Sequence, residues 1–172
     1  MDVILVDEHD VQTGTMEKME VHQKALLHRA FSIFIFNEKG EMLLHKRADK
    51  KYHSGGLWTN ACCSHPAPGE TTLAAAKKRL QEEMGFDTKL EFVTSFIYKA
   101  ELDQHLIEHE FDHVFIGEYS DIPSINKTEV AAWKFVDLSD IDTDLLQNPE
   151  KYTVWFRIIF ARVKEHFLNT QK

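Results

Sequence analysis

Two glutamates one residue apart, Glu108 and Glu110, carry the clearest chemical signal in the sequence. Side chains alternate along a strand, so both carboxylates share one face while His109 and Phe111 take the other. The strand continues as Val114-Phe115-Ile116, which predicts burial, and two buried carboxylates demand a cation or a shared proton. Neutral partners exist in His22, His28 and His65. Three imidazoles with two carboxylates suit Mn²⁺, Zn²⁺ or Mg²⁺ by ligand type. No histidine pair has zinc-finger spacing, and each taken singly reads more readily as a surface or satisfied core residue than as a ligand.

A second group sits on a helix. Leu73, Ala76, Leu80 and Met84 repeat at helical spacing, Thr71 or Thr72 can cap the start, and Gly85 stands where a left-handed C-terminal cap belongs. At about 100° per residue Glu83 falls on the edge of the apolar stripe and Glu82 nearly opposite, with Arg79 one turn before Glu83. An acid and a base on that border fit a metal-chelated phosphate, although such a pair alone is more often a solvated ion pair. Cys62 and Cys63 are adjacent, which makes a disulfide awkward and predicts two thiols. Cys62 reads as a small core hydrophobe. Cys63 is expected to face a cavity, where a nearby metal-bound imidazole or ammonium would favour its thiolate and make it a base or nucleophile. Trp58, Tyr98 and Trp155 read as core aromatics, or as ring faces over a cation.

These groups need a scaffold, and 172 residues supply about one domain, expected to span 1–172 around a single core. With 20 basic and 28 acidic residues the net charge is −8, which argues against a nucleic-acid groove. No apolar run approaches the roughly 18 residues that would cross a bilayer, and Met1 to Val6 carries no basic leader, so a soluble, cytoplasmic protein is expected. Val3 to Val6 reads as a strand; Phe31 to Phe36, apolar on both faces, reads as a central one. The turn Asn37-Glu38-Lys39-Gly40 then predicts a hairpin with Met42 to Leu44. Ala48 to Leu57 is a polar, glycine-bearing loop presenting Lys50 and Lys51. Further strands are expected over Lys89 to Tyr98, Glu108 to Tyr119 and Ala131 to Val136. An amphipathic helix over Tyr152 to Phe167 closes the chain, with Trp155, Ile158, Ile159, Val163 and Phe167 on its apolar side. The fold class is α/β (α+β), a mixed sheet with helices on its faces.

The chain resembles the type I isopentenyl-diphosphate isomerases, a branch of the Nudix superfamily, over most of its length. The likeness is carried by Thr13-Gly14-Thr15-Met16-Glu17-Lys18, by Leu27-His28-Arg29-Ala30-Phe31-Ser32, by Thr59-Asn60-Ala61-Cys62-Cys63-Ser64-His65-Pro66 and by Glu108-His109-Glu110. The helix is similar to a degenerate Nudix box, with Glu70 at its first acidic position and Lys78 to Phe86 matching its second half. Arg79 departs from the box of an ordinary Nudix hydrolase, which has a metal-gathering glutamate there; a guanidinium binds phosphate instead and disfavours hydrolysis.

The resemblance implies a Nudix-like mixed sheet between helices and one divalent metal on His22, His28, His65, Glu108 and Glu110. It also implies that Glu83 holds a Mg²⁺ bridging to a substrate diphosphate, with Lys18, Arg47, Lys51 and Arg79 neutralising the remaining phosphate charge. The implied reaction moves the double bond of isopentenyl diphosphate to give dimethylallyl diphosphate, with no redox cofactor. Protonating an alkene needs a strong acid, a base on the opposite face and a dry pocket. Glu110 supported by Tyr98 is the implied donor, Cys63 the base as its thiolate, and Trp155 the aromatic face over the cation. The expected partner is an isoprenoid diphosphate, with no nucleic acid or membrane, in a monomer or weak dimer. A hydrolase of nucleoside or isoprenoid diphosphates on the same fold is the alternative, and a metal-stabilised binding module without chemistry is a third.

Overall fold

The apolar run around Phe31 to Phe36 becomes strand β3 (His28–Phe36), and its alternation divides the interior. The computed structural model describes all residues, Met1–Lys172. Phe31, Ile33 and Ile35 face one layer, closed by helix α2 (Thr72–Met84) through Ala75, Ala76, Leu80 and Met84. Phe34 and Phe36 face the other, closed by helix α4 (Val154–Thr170) through Phe156, Phe160 and Phe167. Phe34, Phe36, Phe156 and Phe160 are all fully buried, and truncating any one to alanine would cost about 3–5 kcal/mol. A mixed sheet covered on both faces by helices follows directly.

The other strands are β1 (Asp2–Val6), β2 (Gln12–Glu17), β4 (Met42–Arg47), β5 (Trp58–Thr59), β6 (Cys62–Ser64), β7 (Leu90–Glu101), β8 (Ile107–Glu118) and β9 (Val130–Val136). Along one edge β3 pairs in parallel with β8, from His28↔Glu110 to Phe36↔Glu118, and β8 pairs antiparallel with β7. The opposite edge of β3 is shared by three strands in turn: β1 at Leu5↔His28, β6 at Phe31 to Ile33, and β4 at Phe36↔Met42. Helices α1 (Lys18–Lys24) and α3 (Leu138–Gln147) complete the chain.

Three expectations are corrected. The hairpin of β3 with β4 holds only at Phe36↔Met42; beyond it β4 pairs with β9 and β5 while β6 takes the edge of β3. The two strands therefore splay, and the gap between them matters below. Leu73 lies within the stripe's angle but is 44% exposed: at this end of α2 Ala75 and Ala76, not Leu73, meet the packed layer. Ile158 is 47% exposed: the buried stripe of α4 centres on Phe156, Ile159, Phe160 and Val163, and Ile158 points well away from it. Thr71 rather than Thr72 is the cap, accepting from the Ala74 N–H at 3.2 Å. Gly85 has φ +76°, and a Cβ there would meet the Ser124 carbonyl at 2.3 Å, so no other residue fits that turn.

Candidate active site

Parity assembles the site. His28 and Ser32 share a face of β3 with Phe34, and Glu108, Glu110 and Asp112 share the same face of β8 with Val114, all turned toward the α4 layer. Cys63 packs against that layer while Cys62 faces the other, and Tyr98 of β7 stands opposite Glu110. Both cysteines are free thiols, with Cys62 fully buried as expected. Where β3 and β4 diverge, a cleft of about 60 Å³ opens, lined by Ser32, Cys63 and His65 on one side and His45 and Arg47 on the other. Through this opening the cleft reaches both the carboxylates of β8 and the polar edge of α2, Arg79 and Glu83.

His22, His28, His65 and Glu110 are all buried, and one donor atom from each lies within 4.8 Å of the others. His22 Nδ1 is 2.7 Å from the Lys18 carbonyl and His28 Nδ1 is 2.9 Å from that of Leu26. Each ring therefore donates from Nδ1, so Nε2 is the nitrogen turned inward and, in the neutral ring, the one free to ligate a metal. His22 Nε2 is buried with no partner, which fits a missing cation. His65 Nε2 lies 2.9 Å from Glu110 Oε1 and 3.2 Å from His28 Nε2. Burial pushes the His65 imidazole down to about 3, against the pull of Glu110, so it is neutral. Glu108 lies apart from this foursome, grouped instead with His22 and His53.

Tyr98 Oη bridges the two carboxylates, 2.7 Å from Glu110 Oε2 and 3.0 Å from Glu108 Oε2. Burial and the facing Glu110 push Glu108 well up. Burial pushes Glu110 the same way, but the imidazoles of His28 and His65 outweigh it and hold the carboxyl well below its usual range. Tyr98 thus links the two carboxyls in one hydrogen-bonded chain, from Glu108 through the phenol to Glu110 at the cleft.

Cys63 is held by two groups, Asn60 and Ser32. Asn60 Nδ2 lies 3.1 Å from its sulfur and 3.0 Å from the Ile33 carbonyl, tying the thiol to β3. Ser32 Oγ donates to Asp112 Oδ2 at 2.7 Å, leaving its lone pairs to face the sulfur at 3.4 Å. Thr59 Oγ1 meets Asn60 Oδ1 and the Thr153 hydroxyl, each at 2.9 Å, so one polar chain links Cys63 to the start of α4, where Trp155 projects into the cleft. The expectation of a thiolate is opposed by the surroundings of the sulfur. Burial, then the nearby Asp112, push the thiol up, and the sulfur keeps its proton at neutral pH.

All four cations expected at phosphate line the cleft, each with a neighbour in place. Lys18 lies 4.7 Å over the Tyr52 ring, and burial, then Lys51, bring its ammonium down to about 8. Arg47 lies 5.3 Å over the Trp155 ring and donates to the His53 carbonyl at 3.2 Å. Lys51 pairs with Glu129. Arg79 is clamped by Glu82 at 2.7 Å and by the buried Glu83 at 2.5 Å. Glu129 and Glu83 balance the charges of Lys51 and Arg79.

Asp112, beside the cleft, and His45, Tyr52, His53 and Glu129, which line it, escape the sequence reading. Asp112 continues the period-two run of Glu108 and Glu110, so the same rule carried one step further reaches it. His45, whose Nδ1 donates to the Ala61 carbonyl at 2.8 Å, lies on a strand whose burial masks its polarity. His53 and Glu129 come from a loop and a strand edge with no periodic signal.

A family model for the NUDIX domain matches residues 26–156. An isopentenyl-diphosphate Delta-isomerase of Pectobacterium atrosepticum is 48% identical over 166 residues, covering 96% of this chain and 93% of the relative. Isopentenyl-diphosphate Delta-isomerase 2 of Photorhabdus laumondii is 54% identical over 157 residues, covering 91% and 89%. Among solved structures, a Deinococcus radiodurans protein superposes with a TM-score of 0.79 at 14% identity, covering 94% of this chain and 98% of its own. The MutT protein of Methanosarcina mazei reaches 0.66 at 21%, covering 85% and 96%. At those identities the two structures speak to the fold alone, while the sequence relatives span nearly the whole chain at about half identity. The chain belongs to the isopentenyl-diphosphate Delta-isomerase family, built on a Nudix domain.

Proposed function

We propose that this chain isomerises isopentenyl diphosphate to dimethylallyl diphosphate as a single-domain enzyme of isoprenoid biosynthesis. The observation that carries the reading is the meeting, in one narrow cleft, of the Cys63 sulfur, the Tyr98–Glu110 pair and the Trp155 ring. One proton must reach the terminal carbon of the alkene and another must leave the carbon on the far side of the tertiary cation. Glu110, fed by Tyr98, and Cys63 are the two groups for that exchange. A forward turnover begun with Glu110 protonated and Cys63 as thiolate ends with the sulfur protonated and Glu110 anionic. That end state has the same ionisation that burial favours at Cys63 and the two imidazoles favour at Glu110. The two groups therefore exchange roles in the reverse reaction. Trp155 offers a ring face to the cation and, being buried, helps exclude the water that would capture it.

The donor set of His22, His28, His65, Glu108 and Glu110 would hold a divalent ion, and Glu83 a Mg²⁺ carried by the diphosphate. Bound metal supplies charge stabilisation for the carboxylates and phosphates. Lys18, Arg47, Lys51 and Arg79 bind and orient the diphosphate.

Isomerisation of isopentenyl diphosphate in heavy water tests the reading: deuterium is expected in the newly formed methyl group. A protein that releases phosphate from many diphosphates and moves no double bond would be a hydrolase instead. Arg79, locked to Glu82 and Glu83 where a hydrolase would gather metal, speaks against that outcome.

A further inference from the structure

The cleft contains two imidazoles for which the reaction above has no use: His45, on β4 with Nδ1 bonded to the Ala61 carbonyl, and His53. His53 comes from the 48–57 loop, is 3% exposed, and places Nδ1 3.1 Å from the Ser54 hydroxyl and Nε2 3.8 Å from Glu108 Oε1. His22, His53 and Glu108 form a second buried group whose donor atoms lie within 4.8 Å of one another, and it shares His22 with the group of His28, His65 and Glu110.

Two ions cannot use that shared residue. His22 Nδ1 is committed to the Lys18 carbonyl, so the ring offers one lone pair, on the unpartnered Nε2, and one lone pair binds one ion. An ion held by His22 Nε2 that also takes Glu108, one of the donors expected of it, must draw the two groups together, and it then has His53 within reach, because His53 lies in the same 4.8 Å group as His22 and Glu108. His53 is also not a hydrogen-bond partner of Glu108, since 3.8 Å is too long. Two atoms on a single ion at about 2.0–2.2 Å can stand up to about 4.4 Å apart, and the 3.8 Å gap fits that. Glu108 Oε2 is occupied by Tyr98, which leaves Oε1, the oxygen facing His53, for the ion.

We propose that His53 is a ligand of the same ion, a fourth imidazole delivered by the loop that carries Lys51. The inference rests on the metal reading of the His/Glu cluster and extends it. Its consequence is coupling. The His53 carbonyl accepts from Arg47 and Lys51 lies two residues before it, so an ion that holds the ring also fixes two of the phosphate-binding cations.

The test uses the full chain stripped of metal and reloaded with Zn²⁺ alone. One ion per chain with four imidazoles by X-ray absorption is the expected result for the unmodified protein. His53→Ala and His53→Gln are each expected to show three imidazoles and to surrender the ion to a chelator at least about tenfold more readily. One ion with three imidazoles in the unmodified protein overturns the role of His53 and leaves the cluster reading intact. Two ions per chain, or unchanged retention in both variants, also overturns it. No bound ion removes the cluster reading together with this one.

Discussion

Tyr98→Phe isolates the proton path because it deletes one oxygen and leaves the ring packed beside Phe96, 5.5 Å away. The lost hydroxyl is 2.7 Å from Glu110 and 3.0 Å from Glu108 on a residue only 7% exposed. A hydrogen bond to a charged, buried carboxyl contributes about 1.5–3 kcal/mol. At about 2–4 °C per kcal/mol for a chain of this size, Tm should fall by about 3–12 °C. The catalytic effect should be larger than the loss of stability suggests. A positioned proton-transfer group contributes about 10²–10⁴ in rate, so kcat should drop at least about 100-fold, or about 2.7 kcal/mol of barrier. KM should hold, because no phosphate-binding cation touches the phenol. Turnover of isopentenyl diphosphate, measured with deuterium uptake from heavy water, reads both quantities. A kcat within about threefold of the unmodified enzyme, or a loss confined to KM, would refute the chain from Glu108 through Tyr98 to Glu110.

Cys63→Ala should remain folded and retain metal while losing at least about 100-fold in kcat; unchanged turnover would remove the sulfur from the reaction. Lys18 is charged below its pKa of about 8 and neutral above it, so kcat/KM should fall as pH rises through about 8. Lys18→Arg should move that limb to higher pH, and a limb that stays put would exclude this ammonium from diphosphate binding. Stripping the metal from protein held at 1,000 times its Kd removes about 4 kcal/mol, a fall in Tm of roughly 10 °C; a Tm insensitive to chelator would contradict the buried donor set. Arg79→Glu would gather three acids within one turn of α2, beside the expected diphosphate, and should raise KM. An unchanged KM would confine Arg79 to its salt bridges with Glu82 and Glu83.

What the sequence makes legible is what a local period encodes. The same-face rule for Glu108 and Glu110, the two-sided burial of Phe31 to Phe36 and the Thr71 to Gly85 helix each depend on a few neighbouring residues, and each is present in the fold. Non-local competition is what defeats the rest. Asn37 to Gly40 forms its turn as expected, yet β3 and β4 separate after one pair because Cys62 to Ser64, some thirty residues away in sequence, takes the edge of β3. No turn signal contains that information, and the missed event is the one that opens the cleft. The expected Cys63 thiolate is opposed for a related reason: burial and an unrecognised carboxyl, Asp112, whose nearness depends on the parallel pairing of β3 with β8, outweigh the hydrogen bonds of Ser32 and Asn60. His53 lies at the far end of the same scale, since a loop histidine has no period and gains meaning only when β8 brings Glu108 to face it. Residue type thus names the chemistry of this chain, while the departure of one strand from its hairpin partner determines where that chemistry has room to occur.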